Sequence, residues 1–149
     1  MLILRRYILV PWLLSAAVMY GLSYLWHGVI LSDFQDLRIP RPLYFSLAAV
    51  VYLVLGLVQT LLTHKAVEQE WVSLKGPFPL AAMLLGAPVG FFVYLVIFTL
   101  GMSFAKHGIE HIVVDVLWQM VEQALGGLMV SMGIIYDMHQ RFLEQERAD

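Results

Sequence analysis

The chain contains no cysteine, and that single absence removes disulfides, thiolate-bound metals and thiol nucleophiles together. Charge is also scarce. Only 13% of the 149 residues are Asp, Glu, Lys or Arg, against about a quarter in an ordinary soluble domain. The formal net charge is -2 and no basic run is present, which excludes the clustered Lys and Arg of a nucleic-acid surface. What fills the space is apolar: 60% of the residues are hydrophobic, the composition of a membrane protein.

A hydrocarbon core of roughly 30 Å takes about 20 apolar residues in a helix. Four stretches meet that length, at about 7–31, 43–63, 78–105 and 112–136, and predict an all-α, integral membrane four-helix bundle. Residues 1–149 therefore form a single transmembrane domain with no room for a separate soluble catalytic one. Arg5 and Arg6 precede the first apolar run as in a signal peptide, but the run passes "LSAAV" without a polar cleavage region and is expected to stay as helix one. The "HQRFLEQERAD" segment is expected to carry helix four outward as a helical tail over 137–149.

Placing the N-terminus inside puts Arg5, Arg6, Lys65, Lys75, Arg141 and Arg147 on the inner side, and Arg38, Arg41 and Lys106 on the outer. Six against three favours both termini in the cytoplasm. Trp12 and Trp71 would then anchor the inner interface and Trp26 the outer. Prolines punctuate both longer connections, "SDFQDLRIPRP" and "HKAVEQEWVSLKGPFP", whose "VEQEWVSL" portion reads as a polar connection or a short interfacial helix. In helix three, "GAPVG" reads as a tolerated kink, with Gly86 and Gly90 relaxing the backbone around Pro88.

Two stretches repeat. "GLSYLWHGV" at 21–29 and "GMSFAKHGI" at 101–109 pair Gly21 with Gly101, Ser23 with Ser103, Tyr24 with Phe104, His27 with His107 and Gly28 with Gly108. The match predicts a parallel duplication of a two-helix unit, with His27 and His107 at equal depth and His64 and His139 on the opposite side. Tyr20, Ser23 and His27 share one helical face, expected to point inward.

Helix four carries a longer polar stripe. His111, Asp115, Gln119 and Glu122 recur at intervals of four, four and three, and Gly126 and Gly133 continue the line. A charged residue at mid-membrane costs roughly 2.5 to 3.5 kcal/mol on insertion scales, so Glu122 must be paired, protonated or hydrated. Gln59, Tyr52 and Gln123 are its candidate partners.

The "HGIEH" segment at 107–111 has the spacing of a metal site, with His27, His107 and His111 as candidate ligands and Asp33 or Asp115 as a further one. Gly108 argues against it, because a turn there breaks the helical spacing. His27 and His107 could also ligate a haem axially. No cofactor is expected from these residues; metal and haem stay as alternatives. The outer cluster otherwise comprises His27, His107, His111 and Asp115, the last shared with the intramembrane stripe of Gln119, Glu122, Gln59 and Tyr52.

Taken together, "YLWHGVILSDF" and "HGIEHIVVDVLWQMVEQALGGLMVSMGIIY" resemble a domain-of-unknown-function family of small four-helix bacterial membrane proteins. That family has a Trp-aromatic pair near the end of helix one and a polar, glycine-containing last helix. The resemblance covers both ends and not the middle, and His27 stands where the family has tyrosine. It implies the fold and a bacterial plasma membrane, and no activity.

Two functions remain. One is a structural or accessory membrane component without enzymatic turnover, packing in the bilayer with itself or within a larger complex. The other is a small-ligand, metal-ion or proton-coupled transport protein using the polar stripe of helix four. They diverge at Glu122: an accessory protein satisfies its stripe internally, whereas a carrier needs a cavity leading to it.

Overall fold

The computed structural model describes residues 2–35, 37, 39–100 and 108–148, with side chains from Arg6 onward. Among them the chain is helical throughout its long elements: α1 (Leu2–Tyr24), α2 (Arg41–Glu68), α3 (Phe78–Thr99) and α4 (Ile109–Glu146). All four are long and apolar enough to cross a membrane. Their outer faces are apolar too, with Leu84, Phe92, Leu117 and Val50 each more than half exposed, a surface suited to hydrocarbon.

The helix boundaries follow local chemistry. Arg41 and Pro42 open α2 where a missing N–H costs nothing, and Pro77 precedes α3 in the same way. Glu70, at φ 59, turns the chain back after α2, while the amides of Trp71 and Val72 close on the Ala66 carbonyl. No separate helix forms in "VEQEWVSL"; its first residues belong to α2 and the rest to the turn. Gly108, at φ 93, starts α4 from a backbone conformation that other residues rarely adopt.

Two helices outrun their apolar cores. α2 spans Arg41–Glu68 against an expectation near 43–63, and α4, Ile109–Glu146, runs from its expected span of 112–136 through most of the helical tail expected over 137–149. Hydropathy marks where a helix lies in hydrocarbon, not where its hydrogen bonding stops. The 38 residues of α4 extend about 57 Å, well beyond a core of roughly 30 Å.

α4 is the hub. It packs closely on α3 and α1 and touches α2, whereas α2 and α3 barely meet. Glycine makes the close seams. A Cβ at Gly86 would run into the Gln123 carbonyl and one at Gly90 into that of Gln119, so these two glycines seat α3 on α4. Their role is thus contact with α4, while α3 continues through Pro88. Gly127 meets the Ala82 carbonyl, Gly133 backs onto Pro11 and Gly126 onto Met19, which brings α1 and α3 to opposite flanks of α4.

The start of α1 and the end of α4 lie together, as the 2.9 Å pair between Arg6 and Glu144 shows. A collar ties this terminal end of the bundle. Tyr7 packs on His64 with ring centroids 4.0 Å apart, the His64 Nε2 donates to the Tyr7 carbonyl at 3.2 Å, and Arg141 lies over Tyr7 while pairing with Asp137 at 2.7 Å. Trp71 is exposed in the turn at this end. The Trp12 indole N–H is donated to the Leu53 carbonyl of α2 at 2.6 Å.

Residues 101–107 lie outside the described residues, and with them the second copy of the repeat. Elsewhere the packing is unequal. An axis exchanging α1 with α3 and α2 with α4 would match the α1–α4 seam to an α2–α3 seam, yet the first is closed and the second gapes. Small residues line the closed one, Leu47, Val51, Phe92 and Val96 the other.

Candidate functional site

The gap between α2 and α3 is a partly open cavity of about 700 Å³ toward the end opposite the termini. Its side walls are aliphatic and aromatic, with Leu47, Val51 and Val58 from α2 facing Phe92, Val96 and Ile97 from α3. These rim residues are largely half exposed, so the mouth opens through an apolar surface. The back wall is different. It is built by Ser23 and His27 of the α1 end and by Asp115, Trp118 and Gln119 of α4, with Tyr44, Tyr52 and Tyr94 at its edges.

α1 reaches this wall through a change of pitch. After Tyr24 the chain winds into a π-helical turn over Leu25–Ile30, which widens the helix and carries Trp26 and His27. The Trp26 ring stacks on Trp118 of α4, centroids 4.2 Å apart and planes within 9°. The His27 Nδ1 donates to Asp33 at 2.8 Å, from the short 3-10 turn that follows. Gly28 gives room for the Phe34 ring, which joins Tyr24, Tyr44 and Phe45 in an aromatic cluster. Ser23 and His27 share the cavity wall, whereas Tyr20 lies edge-on to Tyr52 and donates to the Phe45 carbonyl at 3.4 Å.

The polar stripe of α4 faces inward. Asp115 and Gln119 are 6% and 7% exposed and Glu122 is fully enclosed, while His111 is half-buried at the stripe's outer end. Gln119 Nε2 donates to Glu122 Oε1 at 3.0 Å, and Tyr52 places its hydroxyl beside Ser23 and Glu122. Gln59 turns elsewhere. Its Nε2 donates to both the backbone carbonyl and the Oε1 of Gln123, at 3.0 and 2.6 Å, linking α2 to α4 at the residue next to the acid.

These bonds leave the stripe incompletely satisfied. Asp115 Oδ1 and Glu122 Oε2 are buried without a hydrogen-bond partner, as are the Gln59 Oε1 and the Gln123 Nε2. Trp26 lies beside Asp115 and Trp118 beside Glu122, yet neither indole N–H meets hydrogen-bonding geometry. A buried carboxylate oxygen left in this way costs free energy that a ligand donor can recover.

His27, His111 and Asp115 lie near one another, with Asp33 added through His27. His107 lies outside the described residues. Among those described, no group of three residues has the arrangement of a metal site. His111 sits in the first turn of α4, just beyond Gly108 with its φ of 93. His64 lies at the terminal end in the collar, and His139 on the exposed side of α4 near the same end.

Several site residues carried no signal in the sequence. Tyr94 sits in an apolar stretch, Tyr44 belongs to no polar stripe, and Trp118 flanks the α4 stripe without belonging to it. No family model matches the chain, and no curated protein or solved structure does.

Proposed function

We propose that this protein binds a small amphipathic molecule that enters sideways from the bilayer between α2 and α3, acting on the small-ligand and transport side of the two functions its sequence suggests. One observation carries the reading: a cavity of about 700 Å³ that has an apolar mouth and a polar back wall. That volume lies within the range of pockets that hold ordinary small ligands. A molecule with an apolar body and a polar end matches both surfaces at once. Water alone matches only the wall.

The accessory role has less to rest on. Helices associate in lipid through close seams of small residues, and here Gly86, Gly90, Gly126, Gly127 and Gly133 are spent on contacts within the chain. The setting we infer is a bacterial plasma membrane, with the terminal end and its Arg6, Lys65, Lys75 and Arg141 toward the cytoplasm. The binding needs no covalent step.

Photolabelling tests the proposal. Protein in lipid nanodiscs is exposed to dodecanol carrying a diazirine on its chain, and the labelled residues are mapped by mass spectrometry. Labelling should concentrate on Leu47, Val51, Phe92 and Val96, and Val96→Trp should reduce it severalfold by filling the gap. Even labelling around all four helices, unchanged in that variant, would refute lateral binding.

A further inference from the structure

The chemistry of the back wall narrows the ligand. We propose that its polar end is a cation, an ammonium group seated against Asp115, and that a single alkyl chain occupies the gap between α2 and α3; this rests on the lateral-binding reading above.

Charge complementarity points to the sign. Among the described residues lining the cavity there is an acid, Asp115, and no Lys or Arg. The imidazole of His27 is engaged with Asp33 at 2.8 Å, so that pair brings its own counter-charge. Glu122 lies two turns further along α4, behind Gln119 and Tyr52. His111 and His27 lie near Asp115 but do not carry the permanent charge of Lys or Arg, so an anionic head would face the Asp115 carboxylate at the wall, whereas a cation meets complementary charge there.

Asp115 is itself built to receive a donor. It is 6% exposed, it lines the cavity, and its Oδ1 has no hydrogen-bond partner. The neighbouring surfaces suit the same guest. Tyr44, Tyr52, Tyr94 and Trp118 border the cavity, and aromatic rings around an acid are the surroundings in which ammonium groups are held by cation–π attraction.

The gap sets the tail. From Leu47 to Val58, α2 lines the cavity over a rise of about 16 Å. That is about half of a hydrocarbon core of roughly 30 Å, the depth of one leaflet. Because both walls are aliphatic along this length, an extended alkyl chain lies in apolar contact while its head reaches Asp115.

Three diazirine probes with the same dodecyl chain and different heads, primary ammonium, alcohol and sulfate, decide the matter in nanodiscs of net-neutral phosphatidylcholine. Wild-type protein should be labelled at the α2 and α3 rim by the ammonium probe at least about tenfold more efficiently than by the alcohol, the scale of one charge-assisted contact. The sulfate probe should label least. Asp115→Asn should erase the preference for ammonium over alcohol, and Asp115→Glu, which keeps the charge, should retain it.

Equal labelling by ammonium and alcohol, or a preference that survives Asp115→Asn, would overturn the cation assignment and leave lateral binding standing. Rim labelling by none of the probes would overturn lateral binding itself. Thermal unfolding of each variant shows whether it is folded; if Asp115→Asn is not, the Asp115→Glu result and the head-group order in wild type still decide the assignment.

Discussion

Replacing Gly90 by alanine adds one methyl group in the close seam between α3 and α4. Its Cβ would collide with the Gln119 carbonyl and stand 2.6 Å from the Met120 Cα and 2.7 Å from the Gln119 carbonyl carbon. All three are backbone atoms, so no side-chain rotation relieves the clash. Carbon atoms rest about 3.5 to 4.0 Å apart, so α3 must withdraw by roughly 1 Å. Overpacking of this kind costs about 1 to 3 kcal/mol.

Gly21→Ala in α1 is the matched control, because a Cβ there meets nothing within 4 Å. It should be neutral or stabilising, by up to about 1 kcal/mol, since alanine is the better helix former. Reversible unfolding in mixed micelles, titrated with SDS and followed by circular dichroism, measures both. The two variants should differ in sign. If Gly90→Ala is as harmless as Gly21→Ala, α3 does not sit on α4 through this glycine, and the cavity wall that depends on it is misplaced.

Gln59→Ala should destabilise the same unfolding equilibrium by about 1 to 3 kcal/mol, because it leaves the buried Gln123 amide without its α2 donor; an unchanged midpoint would mean the link is not made. Arg6→Ala should shift stability by no more than about 1 kcal/mol, since its pair with Glu144 is exposed on both sides. A larger loss would show that the terminal collar depends on this pair. The absence of native cysteine permits a direct topology measurement: single cysteines at Trp71 and Ile39 should react with impermeant maleimide from opposite sides of a sealed membrane. Reaction from the same side would contradict a membrane crossing by α2.

Much of this architecture is local in origin, and the sequence alone determined it. Apolar length sets four helices, prolines and Gly108 set where three of them begin, and the spacing of Asp115, Gln119 and Glu122 sets the face that α4 buries. Which residues meet that face was not legible. Tyr52 and Gln59 both qualified as partners of Glu122 by composition, and the tertiary structure places Tyr52 beside it while sending Gln59 to Gln123. That Trp26, carried by the π-helical turn, stacks on Trp118 was not legible either. The cavity is the clearest case. Closeness between two helices depends on shape matched across residues far apart in the chain: Gly126 and Gly133 let α1 approach α4, while Val51 and Phe92 line opposite sides of the gap between α2 and α3. Hydrophobic periodicity scores glycine contact and aliphatic contact as equally apolar, so only the packed structure separates a closed seam from an open one.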